Sequence, residues 1–290
     1  MRILLIGSTG QLGGDLLRNN PGHEIVAPGR DDLDLARPQE AARLIGNVRP
    51  DTVINCAAFH NVPRCEEEPA QAFLINCVAV RDLAAACAEQ EARLVTFSSD
   101  YVFGGERSVP WREDDLPSPL QVYGITRLAG EHAALAVAPE QAVVIRTCGL
   151  YGRSGARSKG GNFVDARVAD AAPGKRIEMA CEQIVAPTST DDLSRAVYAL
   201  IAHPALQPGI YHLVNEGGGC SWYEFTREIV RLIGASAEVV PVDRGGRTGN
   251  MRRPLYSVLQ NTKARALGIV LRPWREALET YLRAKYPEMA

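Results

Sequence analysis

Short apolar runs alternate with amphipathic segments through the first half of the chain. Five runs are continuous and rich in β-branched residues, as is typical of buried parallel strands; they are ILLIG, EIVAP, TVINCAA, RLVTFSS and AVVIRT. The segments between them predict helices; they are GQLGGDLLRN, PQEAARLIG, AFLINCVAVRDLAAACAEQ and YGITRLAGEHAALAV. This alternation predicts an α/β fold with a doubly wound parallel sheet, in which ligands bind at the carboxyl ends of the strands.

A glycine-rich stretch lies directly after the first predicted strand. GSTGQLG places Gly7, Gly10 and Gly13 where the first helix should begin. Glycines there permit a tight turn, let a pyrophosphate approach backbone N–H groups and let the helix pack closely on the strand. We therefore predict a Rossmann-type dinucleotide site, to which Gln11 and Leu12 of the same turn contribute contacts.

The end of the second strand bears on which dinucleotide binds. A carboxylate there would bind the ribose 2′-hydroxyl of NAD(H), but EIVAP is followed by a glycine and Arg30. Arginine suits a 2′-phosphate, so NADP(H) is favoured over NAD(H), although Asp31 and Asp32 weaken the distinction. Asp34 and Leu35 lie where an adenine contact is expected, and a solvated loop carboxylate is an alternative explanation of Asp34.

The regular alternation of predicted strands and helices becomes weaker from about residue 155. Gly-rich loops are followed by a strand-like run, a helix, a short strand and a last helix, which are IYHLVN, SWYEFTREIVRLIG, AEVVPV and PWREALETYLRAKY. We interpret 1–154 as a dinucleotide-binding domain and 155–290 as mainly a smaller α/β substrate-binding domain. We expect segments of the two to interleave.

Composition argues against several classes of partner. The 290 residues carry a formal net charge of −2, so no basic surface for nucleic acid is predicted. No apolar run approaches the roughly 18 residues of a membrane span, and the amino terminus leads straight into a core-like run, so we expect a cytoplasmic protein without membrane contact. Seven cysteines without a CxxC pair predict neither a disulfide framework nor a metal site.

Three residues are candidates for hydride-transfer chemistry. Ser99 ends RLVTFSS, and Tyr123 begins a predicted helix with Arg127 one turn later. Residues four apart share a helix face, which is how one large class of hydride-transfer enzymes positions its proton donor. In a doubly wound sheet, Ser99 and Tyr123 both face the crevice where a nicotinamide would lie.

With these residues the chain resembles the extended short-chain dehydrogenase/reductases and, within them, the dTDP-4-dehydrorhamnose reductase family. The shared motifs run along nearly the whole chain; they are GSTGQLGG, RPDTVINCAAFHNV, AFLINCVAVRDLA, SSDYVFGG, VYGITRLAGE, IRTCGLYG, GGNFV, SWYEF and RRPLYSVLQNTKARALGI. The resemblance implies reduction of the 4-keto group of a nucleotide-linked deoxysugar by NADPH or NADH, the last step in making dTDP-L-rhamnose.

The resemblance also implies roles for individual residues. Tyr123 would donate a proton to the carbonyl oxygen as it becomes an alkoxide, and Ser99, which matches the family's usual threonine, would orient that oxygen. Arg127 replaces a lysine that holds the cofactor ribose and lowers the pKa of the tyrosine. We expect slower turnover, because a guanidinium is bulkier than an ammonium and does not release a proton. Further cofactor contacts are implied for Cys56, Ala57, Ala58 and Asn76, and substrate contacts for Asp100, Tyr101, Asn162 and Arg253. Tight packing explains the two alanines equally, and Arg253 also fits an ordinary surface charge.

Other features keep alternatives open. Only four of the 32 Lys and Arg residues are lysine, so a general bias toward arginine also explains Arg127. Gly149 stands where a tryptophan is common, and NVPRCE replaces the usual AVDKAE, so the sugar is left open. Some family members form metal-mediated dimers; we predict no metal site here and leave a homodimer open. The alternatives to a reductase are a non-catalytic dinucleotide-binding regulatory subunit, favoured by Arg127, and a sugar-nucleotide epimerase or dehydratase, disfavoured by RRPLYS.

Overall fold

Six parallel strands form the centre of the structure, a computed structural model that describes residues 1–29, 31–104, 107–154, 161–249 and 251–288. The elements of the first half are β1 (Arg2–Ile6), α1 (Gln11–Arg18), β2 (Glu24–Val26), α2 (Pro38–Val48), β3 (Thr52–Asn55), α3 (Val62–Glu67), α4 (Pro69–Phe73), α5 (Ala79–Glu89), β4 (Arg93–Ser99), α6 (Val122–Val137) and β5 (Ala142–Thr147). A π turn (Leu74–Val78) joins α4 to α5, and a 3-10 turn (Asp100–Val102) follows β4.

The second half contains shorter strands. Its elements are β6 (Leu150–Tyr151), α7 (Phe163–Asp170), β7 (Arg176–Ala180), β8 (Ile184–Val185), β9 (Thr188–Ser189), α8 (Thr190–Ile201), β10 (Gly209–His212), β11 (Cys220–Ser221), α9 (Trp222–Leu232), β12 (Glu238–Val242), β13 (Arg247–Thr248), β14 (Met251–Arg252), α10 (Thr262–Ala266) and α11 (Trp274–Lys285).

The central sheet has the strand order β10-β5-β4-β3-β1-β2. Every neighbouring pair is parallel. The five apolar runs of the first half all form strands of this sheet, because continuous apolar sequence suits strands that are covered on both faces. The predicted doubly wound α/β fold is confirmed.

Helices cover both faces of the sheet. On one face, Leu16 of α1 and Val197 of α8 belong to one apolar cluster with the strands. On the other face, Ile45 of α2, Leu83 of α5 and Ala134 of α6 belong to a second cluster. Since α8 and β10 follow residue 155, part of the second half lies in the layers of the first.

The rest of the second half packs around its own apolar residues. Tyr151, Phe225 and Trp274 are buried in one cluster, which brings α9 and α11 together beside β6. β7 pairs with β12 in parallel, and β8 pairs with β11 in antiparallel orientation. These small sheets lie outside the six-stranded sheet.

The stretch Pro69–Glu89 corrects one expectation from the sequence. It spans 21 residues and contains a window of mean hydropathy 1.3, so by length and composition alone it could cross a membrane. Its second part is α5, whose Leu83 and Cys87 are buried in a core cluster with the strands. As a crossover helix between β3 and β4, α5 needs an apolar face to cover the sheet, which accounts for its composition.

Candidate active site

The glycine turn brings the ends of β1 and β3 together. Gly7 has a φ of +79°, and a Cβ there would lie 2.8 Å from the backbone nitrogen of Ala57. A Cβ at Gly13 would overlap the carbonyl oxygen of Gly7, so α1 can approach the turn only with glycine at that position. Gly10 precedes α1 as its N-cap. In such a turn at the amino terminus of a helix, backbone N–H groups can hold a pyrophosphate.

Cys56, Ala57 and Ala58 follow β3 on the side of the Gly7 turn. Cys56 donates its backbone N–H to the carbonyl oxygen of Ile6 (2.9 Å), which continues the parallel pairing by one residue. The Ala57 N–H donates to the side-chain oxygen of Asn55 (3.1 Å). The structure therefore places the backbone of Cys56 and Ala57 beside the glycine turn.

The other residues assigned to the cofactor lie in different settings. Leu12 is buried in the core, so any contact with a cofactor would be through its backbone. Arg30 lies outside the described residues. The Asp34 carboxylate accepts the backbone N–H of Ala36 (3.0 Å) and so closes a local turn, while Leu35 is buried beneath α2 and α5. The side-chain oxygen of Gln11 is buried and has no hydrogen-bond partner among the described residues.

Ser99, Tyr123 and Arg127 meet where β4 ends and α6 begins. Ser99 is the last residue of β4, and Tyr123 is the second residue of α6. Burial raises the pKa of Tyr123, while the charge of Arg127 and a hydrogen bond with Ser99 lower it. The structure thus brings together the three residues that the sequence proposed for carbonyl chemistry.

Two glycines of α6 place this helix, and sequence reasoning missed their role. A Cβ at Gly124 would overlap the carbonyl oxygen of Tyr101, and a Cβ at Gly130 would overlap that of Asn76. Glycine therefore lets α6 pack directly against the 3-10 turn and the π turn. The signal was visible in the sequence as two glycines inside a strongly predicted helix.

Asn76 lies in the π turn and joins α6 to the loop after β3. Its Oδ1 accepts the backbone N–H of Phe59 (2.9 Å), and its Nδ2 donates to the Phe59 carbonyl (2.9 Å) and to Thr126 Oγ1 (3.1 Å). The Arg127 Nη1 donates to the same Oδ1 at 3.3 Å. π turns are frequent at functional sites, and here the turn directs a side-chain amide toward Arg127.

Tyr101 links the second half of the chain to the tyrosine of α6. Its hydroxyl accepts a hydrogen bond from Arg253 Nη1 (2.8 Å). Its ring meets the ring of Tyr123 edge to face, with centroids 5.9 Å apart and an interplanar angle of 76°. Burial raises the pKa of Tyr101 to about 12, so its hydroxyl is neutral at ordinary pH.

Asp100 is buried beside Ser99 and contacts two residues that sequence reasoning did not assign to the site. Its Oδ1 accepts a hydrogen bond from Ser99 Oγ (2.9 Å). Its Oδ2 accepts hydrogen bonds from Ser257 Oγ (2.6 Å) and Cys148 Sγ (3.0 Å). Burial raises the pKa of Asp100, while these donors lower it. The partners are far away in sequence, so no local pattern could identify them.

Asn162 acts as the N-cap of α7. Its Oδ1 accepts the backbone N–H of Asp165 (2.9 Å), and its Nδ2 donates to the carbonyl of Gly152 (2.7 Å) and the hydroxyl of Tyr281 (2.8 Å). In the described part of the chain, its hydrogen bonds connect α7 to α11 and do not reach Ser99 or Tyr123. Any influence of Asn162 on a substrate would therefore pass through the position of α7.

Gly149 lies against a tryptophan from another part of the chain. It has a φ of +55°, and a Cβ at this position would lie 3.6 Å from Cη2 of Trp222. The same Cβ would lie 3.2 Å from the Cα of Pro187. An indole is thus present beside the position at which related sequences often carry tryptophan, but α9 supplies it.

Comparison with known proteins identifies relatives over almost the full chain. A family model described as the RmlD substrate binding domain matches residues 1–286. The Bacillus subtilis spore coat polysaccharide biosynthesis protein SpsK is 35% identical over 98% of this chain and 98% of its own length. The dTDP-4-dehydrorhamnose reductase of Streptomyces griseus is 37% identical over 96% of this chain and 91% of its own.

A solved structure shares the fold. The dTDP-4-dehydrorhamnose reductase of Bacillus anthracis, in complex with NADP, superimposes with a TM-score of 0.90 at 32% identity, over 98% of this chain and 99% of that one. The resemblance drawn from the motifs is therefore confirmed across both halves. The protein belongs to the RmlD substrate-binding-domain family.

Proposed function

We propose that this protein reduces the 4-keto group of a nucleotide-linked deoxysugar, dTDP-4-dehydrorhamnose or a close analogue. One observation carries the proposal: the Tyr123 phenol lies beside both Ser99 and Arg127 at the carboxyl end of β4. The glycine turn after β1 lies at the same end of the sheet, because all six strands are parallel. A dinucleotide in that turn would extend toward these three residues. Named relatives of this length are reductases of such sugars.

The chemistry of the chain follows from these side chains. When bound, the reduced nicotinamide supplies a hydride to the carbonyl carbon. Tyr123 donates its proton to the carbonyl oxygen as negative charge develops there. Ser99 hydrogen-bonds the same oxygen by turning its single hydroxyl proton, which Asp100 accepts in the free protein, toward the substrate. Since burial raises the pKa of Tyr123, the phenol stays protonated at neutral pH until this step. The charge of Arg127 then stabilises the phenolate that remains.

NADP(H) is the proposed cofactor, in preference to NAD(H). Arg30 at the end of the second strand supports this choice, as does the NADP of the Bacillus anthracis relative. The pyrophosphate would be held by backbone groups of Gly10, Gln11 and Leu12, with Gly7 and Gly13 shaping the turn. Cys56, Ala57, Ala58, Asp34, Leu35 and Asn76 stay assigned to the surroundings of the cofactor.

Arg253 and Tyr101 are the residues we assign to the sugar nucleotide. A guanidinium forms strong paired hydrogen bonds to phosphate oxygens, so Arg253 suits a diphosphate. Its hydrogen bond to Tyr101 places this cation next to the ring that contacts Tyr123. Asn162 would act on the substrate through α7. We also propose that the protein is cytoplasmic and forms a homodimer.

The test is a panel of nucleotide-linked 4-keto sugars with NADPH and with NADH, followed by absorbance of the nicotinamide. We expect oxidation of NADPH with at least one sugar, and nearly complete loss of it in Tyr123→Phe. Cofactor binding without turnover on any sugar would favour the non-catalytic regulatory subunit, for which Arg127 is the supporting feature. Exchange of epimers without net oxidation of the cofactor would favour the epimerase.

A further inference from the structure

One short segment of the second half contacts the residues that follow Ser99. Arg253 Nη1 donates to the Tyr101 hydroxyl (2.8 Å), and Ser257 Oγ donates to Asp100 Oδ2 (2.6 Å). Both acceptors lie in the single 3-10 turn after β4. Segment 253–257 therefore forms hydrogen bonds to two successive residues of the 3-10 turn that directly follows β4.

Both oxygens of the Asp100 carboxylate accept hydrogen bonds from protein side chains. Ser99 donates to Oδ1 at 2.9 Å, while Ser257 and Cys148 donate to Oδ2 at 2.6 and 3.0 Å. Asp100 is only 3% exposed. A buried carboxylate depends on its donors, because water does not replace a donor that is lost. Donors on both oxygens hold the plane of the carboxylate in one orientation.

The orientation of Asp100 determines where the Ser99 hydroxyl lies. Ser99 Oγ donates to Asp100 and accepts the backbone N–H of Tyr101 (3.2 Å). The phenol of Tyr123 lies beside the same hydroxyl, which lowers the pKa of the phenol. Hydrogen bonds thus run from Ser257 through Asp100 to Ser99, next to the phenol of Tyr123.

We propose that Asp100 and Ser257 are positioning residues for the reduction: Asp100 holds the Ser99 hydroxyl against Tyr123, and Ser257 holds Asp100. This proposal rests on the function proposed above. It assigns Asp100 a role through Ser99 instead of the substrate contact that the resemblance implied. It also makes the geometry of the proton donor depend on a residue of the second half, so the two halves form one active site.

Substitutions at Ser257 test the proposal without touching the residues that meet the substrate. Ser257→Ala should lower kcat roughly 10- to 100-fold, because the buried carboxyl group of Asp100 loses one hydrogen bond and the position of the Ser99 hydroxyl becomes less fixed. NADPH affinity and the KM for the sugar should stay within about twofold, since no ground-state contact is removed. Ser257→Cys should be intermediate, because a thiol at Cys148 already donates to the same oxygen.

Ser194→Ala is the matched control. Ser194 is also fully buried, and its hydroxyl donates to the Asp191 carbonyl (2.8 Å) and accepts from Asn19 (2.7 Å), in α8 on the other face of the sheet. Its loss should lower the stability of the fold and leave kcat of the folded enzyme unchanged. Unchanged kcat in Ser257→Ala, or equal losses of kcat in the Ala and Cys variants, would overturn the proposal.

A second measurement does not need turnover. The Tyr101 amide donates to Ser99 Oγ, so displacement of Ser99 should speed hydrogen exchange at this amide in Ser257→Ala but not in Ser194→Ala. If the parent protein reduces none of the sugars, the proposed function is wrong. Hydrogen exchange at the Tyr101 amide then tests by itself whether Ser257 positions Ser99. Faster exchange at Tyr101 would then support the positioning of Ser99 by Ser257, and unchanged exchange would refute it.

Discussion

Arg127 Nη1 lies 3.3 Å from Asn76 Oδ1, a contact that joins α6 to the π turn across 51 positions of sequence. Arg127 is buried, and among the described residues its Nε has no hydrogen-bond partner. The described part of the protein therefore satisfies only some of the hydrogen-bond donors of the Arg127 guanidinium. The long contact indicates that the guanidinium is accommodated at this position and not tightly held.

The first prediction concerns this cation. Arg127→Lys should raise the rate on a cognate keto sugar, by up to about 100-fold if the present geometry is displaced by about 1 Å. The charge that lowers the pKa of Tyr123 is retained in this variant, and only its geometry changes. Steady-state kinetics measure the effect. A slower lysine variant would show that the pocket is adapted to arginine.

The second prediction concerns the glycine turn. Gly13→Ala should abolish NADPH binding, because its Cβ would overlap the Gly7 carbonyl oxygen and displace α1 from the turn. Gly46→Ala in α2 is the control, since its Cβ meets no atom within 4 Å. The control should bind normally and gain up to about 1 kcal/mol of stability. Fluorescence titration with NADPH compares them, and full binding by Gly13→Ala would place the cofactor elsewhere.

The third prediction concerns cofactor choice. Arg30→Ala should weaken NADPH binding by about 1.5–3 kcal/mol, the usual contribution of a hydrogen bond to a charged group. Binding of NADH should hardly change, because it has no 2′-phosphate. Calorimetric titration of both cofactors provides the comparison. Equal losses for the two would indicate a general defect of the site.

The fourth prediction concerns the buried ion pair between α6 and β5. Glu131 accepts two hydrogen bonds from Arg146, at 2.6 and 2.9 Å, and each side chain is 2% exposed. Glu131→Gln should destabilise the fold by about 3–5 kcal/mol, because it leaves a buried cation without its counter-ion. In contrast, Glu68→Gln removes a surface pair with Arg64 and should cost less than about 1 kcal/mol. Urea unfolding of the two variants tests this difference.

The fifth prediction concerns acid stability. Burial lowers the pKa of His212 to about 3, against 6.5 for the exposed group. Below pH 6.5 the histidine of the unfolded chain therefore binds a proton, while His212 of the folded chain stays neutral until about pH 3. The contribution of neutral His212 to the free energy of unfolding is thus complete above pH 6.5. It is lost between about pH 6.5 and 3, by up to about 1.4 kcal/mol per pH unit. His212→Phe should flatten this part of the profile of unfolding free energy against pH, and an unchanged slope would assign it to other groups.

The sequence alone determined the central strands and the longer helices of the first half, but not the short helix α3 or the π turn inside AFLINCVAVRDLAAACAEQ. Continuous apolar runs became strands β1 to β5, because strands covered on both faces bury most side chains and carry no polar alternation, although β2 at the sheet edge is only partly buried. The tyrosine and arginine of α6 could be placed on one helix face from their spacing alone. These features follow from local periodicity, which neighbouring residues determine.

Tertiary structure decided what lies beside them. β10 pairs with β5, although some sixty residues separate the two strands. Residues of α8, α10 and β10 pack in one apolar cluster with the sheet, and this packing places β10 at the sheet edge. The contact of Ser257 with Asp100 spans 157 positions and requires the second half to lie on the end of β4. Leu35 packs in the core cluster that contains Leu83 of α5, far away in sequence. Such contacts depend on how whole helices and strands pack. The type of a residue does not indicate which distant residue it will contact.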